Sequence, residues 1–223
     1  MACWYQLLTS RFMDSLNIKD KEQLLDPRYD CCFCRECCNE RGDKDYYWRG
    51  DPQKIYILPR EWRRFGVRLR PPEGISKDAV TESGHVGFHG TFSKHVESIL
   101  KLGFRVPGAK IFKGKDVVEM TERFDNTMRP PGIDMKQIVM SPSIRYAGND
   151  AYAPVTRYYD HKTAREYKCK LVFQLRVRPG SYNVGTKTVP ARNIEPYIYD
   201  DHLEWSTKDT DAVVITGLLV KME

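Results

Sequence analysis

The stretch Gly87-Phe88-His89-Gly90-Thr91 forms the end of a predicted strand that starts at Val86. A helix is predicted directly after it, because Ser93 is a suitable N-cap and Gly103 a suitable stop. The apolar residues of that segment recur at helical spacing and share one face, namely Val96, Ile99 and Leu100. This part of the chain therefore predicts a strand followed by an amphipathic helix.

Further strands are predicted downstream of this pair. Lys170–Arg178 alternates between apolar and polar residues, which predicts a half-buried strand, and Val213–Val220 is nearly all apolar, which predicts a central one. Ile138–Met140 is a short strand candidate, and residues 143–152 predict a short helix. Residues 105–136 lack periodicity over a length that indicates a functional loop. Because helices are inserted between strands, the chain belongs to the α+β class.

Pro71-Pro72-Glu73-Gly74 predicts a linker or tight loop, and we place a domain boundary there. Residues 1–72 then form a small cysteine-rich module with a strand candidate at Ile55–Leu58. Residues 73–223 form the larger core that contains most of the predicted strands.

Composition excludes several classes of protein. The 223 residues are 41% hydrophobic and 30% charged, which is an ordinary globular balance. No segment approaches the roughly 20 apolar residues of a membrane helix, and the N-terminus has no basic region followed by a long apolar run. We therefore expect a cytoplasmic or nuclear protein with no membrane partner. The net charge of +6 suits an anionic ligand such as a dinucleotide.

Cysteines are concentrated near the N-terminus. Five of the seven fall in one short run, at Cys31, Cys32, Cys34, Cys37 and Cys38. Such near neighbours are poor disulfide partners, and Cys-x-x-Cys spacing lets two thiolates reach one tetrahedral Zn²⁺. We predict a structural zinc ion with Cys31, Cys34, Cys37 and Cys38 as ligands. The alternatives are a ligand from Cys3, Cys169 or a histidine, or a set of reduced thiols without metal.

A basic segment with interleaved aromatic residues follows the cysteine run. Its arginines are Arg60, Arg63, Arg64, Arg68 and Arg70, with Trp62 and Phe65 between them. One interpretation is a solvated strand face on an aromatic anchor. The other is a phosphate-binding strip for nucleic acid, since arginine pairs with phosphate and aromatic rings stack on bases. Lys110, Lys113 and Lys115 could extend such a strip or border a diphosphate.

Two further segments complete the pattern that Gly87–Thr91 begins. One is Ile138-Val139-Met140-Ser141-Pro142-Ser143-Ile144-Arg145-Tyr146-Ala147, with Tyr152 beyond it, and the other is Leu203-Glu204-Trp205-Ser206-Thr207-Lys208-Asp209. In order and spacing the three segments resemble the NAD-binding core of ADP-ribosyltransferases of the poly(ADP-ribose) polymerase type. Over almost its whole length, including Cys32-Phe33-Cys34, Arg41-Gly42-Asp43 and Tyr46–Pro52, the chain also resembles the C-terminal region of neuralized-like proteins, which carries a similar domain.

The resemblance implies a fold and a reaction. The fold is a split β-sandwich of two antiparallel sheets with helices at its edges, with the cysteine-rich module against one side. The reaction is NAD-dependent ADP-ribosyl transfer, a pentosyl transfer that releases nicotinamide. The acceptor would be a protein or a nucleic acid, with mono-ADP-ribosylation as the expected product.

The resemblance also implies roles for individual residues. Glu204 would be the catalytic carboxylate, His89 would contact a ribose hydroxyl, and Tyr152, or less readily Tyr146, would stack on nicotinamide. Gly90 would bind the carboxamide through its backbone, and Asp209 stands where the family often has an aspartate. The remaining residues of the predicted NAD site are Thr91, Ser141 and Ser143.

The chain departs from the family in one strand. The family commonly places a tyrosine there, whereas this strand has Ile138-Val139-Met140. A second interpretation follows, in which the domain is a catalytically weak, zinc-stabilised module that binds NAD, ADP-ribose or nucleic acid. His202, two residues before Glu204, stands where the arginine-specific branch has Glu or Gln, so arginine is not the expected acceptor.

Overall fold

The computed structural model describes residues 2–105, 110–113, 116–119, 137–189 and 194–223. Most of the loop predicted over residues 105–136 lies outside these ranges, as do Lys115 and the side chains of Lys110 and Lys113. Within the ranges, no helix is long and apolar enough to cross a lipid bilayer.

Six α-helices and thirteen strands are assigned in the described residues. The helices are α1 Trp4–Ser15, α2 Lys21–Leu24, α3 Arg35–Arg41, α4 Lys77–Ser83, α5 Val96–Leu102 and α6 Ile144–Ala147. The first strands are β1 Cys31–Cys32, β2 Tyr46–Arg49, β3 Lys54–Ile57, β4 Arg63–Gly66, β5 His85–Thr91, β6 Lys110–Lys113 and β7 Asp116–Glu119. The later strands are β8 Ile138–Met140, β9 Thr156–Asp160, β10 Arg165–Val177, β11 Asn183–Gly185, β12 Glu204–Thr207 and β13 Val213–Met222.

The larger sheet has six strands in the order β1-β4-β13-β10-β5, with β9 also paired to β10. Every pairing in it is antiparallel. β13 is central, as its apolar sequence predicted. The half-buried prediction for β10 was wrong, because Leu171–Leu175 is buried throughout. Phe173 and its same-face neighbours pack in one core cluster while Val172 packs in another, so both faces of the sheet are covered.

The smaller sheet has three strands in the order β11-β12-β8 and is also antiparallel. One bridge joins the two sheets, because Phe88 and Ser141 exchange backbone hydrogen bonds of 2.7 and 2.8 Å. β8 therefore lies between β12 on one side and the end of β5 on the other. The predicted α+β class with antiparallel sheets is confirmed.

The N-terminal residues do not form a separate layer. β4 pairs with the central strand β13, and β1 extends the same sheet from β4. α1 buries Leu8, Phe12 and Met13 in the core cluster that contains Phe173. The predicted boundary at residue 72 therefore cuts through one sheet and one core. Pro71 and Pro72 mark a bend in the chain, and strand pairing carries the fold across it.

Candidate functional site

Glu204 is the centre of a hydrogen-bond network at the start of β12. Its Oε2 accepts hydrogen bonds from Tyr146 Oη at 2.9 Å, Thr188 Oγ1 at 2.8 Å and Tyr152 Oη at 3.3 Å. The donors also contact one another, with 3.0 Å between the two tyrosine hydroxyls and 2.6 Å between Tyr152 Oη and Thr188 Oγ1. Two segments, residues 146–152 and the segment that carries Thr188, therefore hold one carboxylate oxygen in place.

Gly90 connects this network to the predicted His-Gly-Thr stretch. A Cβ at Gly90 would lie 2.3 Å from Ala147 O and 2.8 Å from Tyr152 O, which is closer than real contacts allow. The backbone that carries Tyr152 therefore lies directly against β5 at Gly90. Since the Tyr152 hydroxyl also reaches Glu204, the two distant motifs and the tyrosine segment meet at one place.

His89 is held in one orientation beside β8. Its Nδ1 lies 2.7 Å from Val139 O, and the Phe104 ring contacts its edge with 4.7 Å between centroids. Because a carbonyl oxygen only accepts, Nδ1 carries the proton and Nε2 is left as an acceptor. Burial lowers the pKa of His89, against the opposing effect of the Val139 carbonyl, so the neutral imidazole is favoured. Val139 lies in β8, a strand that contains no tyrosine.

Four residues of the predicted NAD site are instead engaged inside the protein, and each is buried. The Ser143 hydroxyl caps α6 and donates to Glu195 Oε2 at 2.9 Å, while Ser141 Oγ accepts from Ser143 N at 3.0 Å. These four residues are Thr91, Ser141, Ser143 and Tyr146, and their side chains are not placed for direct contact with a ligand. For Ser141 and Ser143 the reason is that the Ser-Pro-Ser turn starts α6.

The two tyrosines differ in what they can offer to a ligand. Tyr146 is only 1% exposed, so its ring has no face open to a ligand, and its hydroxyl is used by Glu204 and Thr188 N. Tyr152 is half-buried, and burial raises the pKa of its hydroxyl, which keeps it neutral. Asp209 caps the turn between β12 and β13 by accepting from Asp211 N and Ala212 N, and it pairs with Arg178.

Sequence reasoning missed Thr188. Its position lies between β11 and the turn at Asp200–His202, where no motif or periodicity distinguishes it. Its backbone N–H donates to Tyr146 Oη at 2.8 Å while its side chain contacts Glu204. Only the tertiary fold brings it to the carboxylate.

A second candidate site is formed by cysteines. The Sγ atoms of Cys3, Cys32, Cys34 and Cys37 all lie within 4.8 Å of one another, and such a group could hold a metal ion such as zinc. Two of the predicted ligands, Cys34 and Cys37, are therefore in the group.

The other two predicted zinc ligands, Cys31 and Cys38, were wrong. Successive strand residues point to opposite faces, so Cys31 turns away when Cys32 faces the group. Cys38 is rotated around α3 relative to Cys37 and packs in the core cluster that contains Phe33. Cys169 lies in β10, far into the main core cluster.

Burial affects the protonation of these thiols. It raises the pKa of Cys37 to about 12 and that of Cys32 further above its usual range. Cys3 differs, because hydrogen bonds from Gln6 N and the neighbouring thiols outweigh the opposing effect of burial and lower its pKa. Without a metal, the thiols of Cys32 and Cys37 stay neutral at ordinary pH.

The five arginines of the basic segment are each engaged by the protein. Arg63 contacts Gln6 O and Ser10 Oγ in α1, and Arg64 contacts Gln174 Oε1. Arg60 pairs with Asp45, Arg68 contacts Glu22 O, and Arg70 contacts Lys101 O. The five arginines are spread along the chain, and their partners lie in several different elements.

A cavity of about 750 Å³ lies on the other side of α6, between Trp62, Lys170 and Tyr197. Neither His89 nor Glu204 lines it. We place the candidate site at Glu204 because its half-buried carboxylate accepts hydrogen bonds from three hydroxyl groups, whereas in the cavity Lys170 already pairs with Asp150. No protein-family model matches the chain.

Proposed function

We propose that this chain is an NAD-dependent ADP-ribosyltransferase that transfers one ADP-ribose unit to a protein or nucleic-acid acceptor and releases nicotinamide. The observation that supports it most is the meeting of Gly90, Tyr152 and Glu204, because these residues come from the three segments on which the resemblance rests. A structural role alone does not require a carboxylate that accepts hydrogen bonds from three hydroxyl groups.

The proposed reaction breaks the bond between the nicotinamide nitrogen and C1 of the ribose. The bonding electrons leave with nicotinamide, and the ribose passes through a cationic, oxocarbenium-like state before the acceptor attacks. Glu204 would stabilise that positive charge and hold the ribose 2′-hydroxyl. The hydroxyls of Tyr146, Tyr152 and Thr188 fix its Oε2 in advance, so little reorganisation is needed.

His89 and Tyr152 would position the NAD molecule. The free Nε2 of His89 is an acceptor, suited to a ribose hydroxyl. Tyr152 is half-buried, so part of its ring could contact nicotinamide. Gly90 would bind the carboxamide through its backbone.

A structural zinc ion in the four-cysteine group is part of the same proposal. The support for it is the soft, all-thiolate ligand set, which selects Zn²⁺ over hard cations. Thiols persist in reducing compartments, so we place the protein in the cytoplasm or nucleus.

The test is transfer from labelled NAD to protein and nucleic-acid acceptors, with Glu204→Gln beside the wild type. Glutamine keeps the shape of the side chain but removes its charge, so we expect a fall in kcat on the order of 10²-fold or more while NAD binding survives in weakened form. His89→Ala should weaken both NAD binding and transfer. Full activity in Glu204→Gln would refute the role of this carboxylate.

A second pair of variants tests the positioning of Glu204. Thr188→Val removes one donor to Oε2, and we expect kcat to fall about tenfold with little change in the KM for NAD. Thr186→Val is the matched control, because Thr186 lies exposed on the same segment. Equal effects of the two substitutions would contradict a specific role for Thr188.

A second candidate function is a binding module without turnover. The lack of a tyrosine in β8, where the family commonly has one, together with the buried ring of Tyr146, favours it, because fewer aromatic surfaces are then open to nicotinamide. It predicts that NAD, ADP-ribose or nucleic acid binds while nicotinamide is not released. Calorimetric titration with each ligand, beside the transfer assay, distinguishes the two functions.

A further inference from the structure

The four-cysteine group has the dimensions of a mononuclear tetrahedral site. Cys3 Sγ lies 3.7 Å from Cys32 Sγ and 3.8 Å from Cys34 Sγ. Four sulfurs at the Zn–S distance of about 2.3 Å in a tetrahedron are separated by about 3.8 Å. A disulfide needs about 2.05 Å between sulfurs, so the observed spacing is that of ligands around one ion.

Three elements supply the four sulfurs. Cys32 ends β1, Cys34 is the N-cap of α3, and Cys37 lies in the first turn of that helix. Cys3 comes from a distant part of the chain, as the N-cap of α1. The Cys-x-x-Cys pair at the start of a helix therefore holds one side of the site, and α1 closes the other.

Cys3 is itself fixed by the start of its helix. Its Sγ accepts a hydrogen bond from Gln6 N at 3.4 Å, and its own N–H donates to Gln6 Oε1 at 2.9 Å. Tyr5 packs against the group and hydrogen-bonds Glu61 O and Met222 N. Backbone N–H groups that donate to a ligand sulfur orient it and tune the metal.

We infer that Cys3, Cys32, Cys34 and Cys37 hold one Zn²⁺ as a closed four-thiolate site, and that this ion fastens the N-terminus of α1 to the large sheet. The inference rests on the zinc ion proposed above. It assigns Cys3 as the fourth ligand and the attachment of α1 to the sheet as the role of the ion. Each thiol releases its proton to solvent when the ion binds. With no open coordination position the ion is structural.

The ligands and their spacing point to a single ion and exclude an iron–sulfur cluster. Tetrahedral four-sulfur sites hold zinc or iron. An iron–sulfur cluster spreads its cysteines over several irons, whereas here all four sulfurs lie within 4.8 Å of one another. One ion fits between them.

The zinc ion would hold the N-terminal end of α1 in place. Beyond Cys3, the helix is held by its buried face, by the Tyr5 hydroxyl and by Arg63, which contacts Gln6 O and Ser10 Oγ. Further along the helix, Arg11 makes a bidentate contact with the buried Asp160 at 2.7 and 2.9 Å. Loss of the ion should loosen Cys3 and the start of the first turn and leave the Arg11 contact in place.

The test uses the full chain purified under reducing conditions without chelator. Elemental analysis should give one zinc per chain, and replacement by Co²⁺ should give the visible bands of a four-thiolate tetrahedral site. Cys3→Ser should lower zinc affinity on the order of 100-fold and shift the cobalt bands to those of a three-thiolate site. Hydrogen exchange in the first turn of α1 should rise in the same variant.

Cys31→Ser is the matched control, because Cys31 is the immediate neighbour of a ligand but faces away from the group. It should keep full zinc, the four-thiolate spectrum and wild-type exchange in α1. A wild-type chain that holds no zinc, or holds iron, would overturn the zinc ion itself. A four-thiolate spectrum that survives Cys3→Ser but is lost in Cys31→Ser would instead overturn only the assignment of Cys3.

Discussion

At the scale of single residues, the chemistry of the candidate site depends on which atoms are left free by the fold. His89 uses Nδ1 on Val139 O and keeps Nε2, and Glu204 uses Oε2 on three hydroxyls. His89 and Glu204 could be proposed from the sequence because each lies in a short segment of recognisable type. Thr188 could not, since a single hydroxyl in a loop has no local signal.

The four cysteines of the candidate metal site also differ in how far the sequence could predict them. Cys34 and Cys37 were predictable because Cys-x-x-Cys spacing at a helix start is a local pattern. Cys3 was only one of several open alternatives, because its approach to Cys32 depends on how α1 packs. To choose between Cys31 and Cys32, one must know which face of β1 each side chain occupies. Two adjacent cysteines in a sequence do not show this.

His85, which is buried, and His89, which is half-buried, give the protein a predictable pH dependence. Burial lowers the pKa of His89 and of His85 below the ordinary value of 6.5. His85 Nε2 donates to Pro52 O and its Nδ1 accepts from Tyr182 Oη, both at 2.7 Å. The unfolded chain therefore binds more protons than the folded one between the folded-state pKa values and 6.5. The free energy of unfolding falls as the pH is lowered through that window.

We expect the urea midpoint to drop from about pH 7.5 to about pH 5, a range above the ordinary carboxyl pKa values. His89→Asn and His85→Gln keep a donor towards the respective carbonyl without a titrating ring, so each should flatten the dependence. His202→Gln is the control, because His202 is exposed. An unchanged slope in both buried-site variants would contradict the assignment.

At the scale of elements, β5 illustrates that it is easier to predict that a strand forms than to predict what packs around it. The strand and the stop at Gly103 agree with the sequence, but the predicted N-cap does not: Ser93 begins a 3₁₀ turn, and the helix starts at Val96 with His95 as its N-cap. The helix predicted over residues 143–152 is shorter, because α6 ends before Gly148. A Cβ at Gly148 would lie 2.9 Å from the Trp62 ring, so packing from the N-terminal part sets this end of the helix.

The two glycines of β5 provide a matched pair of substitutions. A Cβ at Gly90 meets backbone atoms at 2.3 to 2.8 Å, whereas at Gly87 it meets flexible side-chain atoms at 3.5 Å. Gly90→Ala should therefore lower the free energy of unfolding by about 1–3 kcal/mol, while Gly87→Ala should be neutral or slightly stabilising. Urea unfolding measures both.

Gly90→Ala should also displace Tyr152 from Glu204. Transfer from NAD should then fall more than in Gly87→Ala at a temperature where both variants are folded. If the two alanine variants had equal stability and activity, the close contact between β5 and the Tyr152 segment would be refuted.

At the scale of the whole molecule, the α+β class could be predicted from the helices inserted between strands, and antiparallel sheets were implied by the resemblance, but the continuity of the sheet could not be predicted. Pro71 and Pro72 are a local signal for a break in the chain, whereas the pairing of β4 with β13 joins residues that are far apart in sequence. Local patterns predict where a chain bends. They do not tell which strands meet again after the bend.

This continuity predicts that residues 73–223 do not fold without residues 1–72. The truncated chain would expose the edge of β13 that pairs with β4, at Gly217–Val220. It would also lose several buried side chains of the main core cluster, namely Leu8, Phe12, Met13, Leu24, Leu25, Phe65 and Val67. Each such side chain contributes about 1.5–3 kcal/mol when buried, and a domain is stable by only about 5–15 kcal/mol. The loss therefore exceeds the available stability.

Urea unfolding followed by near-ultraviolet circular dichroism, for residues 73–223 and for the full chain at equal concentration, measures the difference. The full chain should unfold cooperatively, and the fragment should show no cooperative transition and should bind a hydrophobic dye. Adding residues 1–72 as a separate chain in the presence of zinc should restore part of the transition, because β4 supplies the missing partner of β13. A fragment with a cooperative transition of its own would restore the boundary at residue 72 and reduce the N-terminal residues to an accessory module.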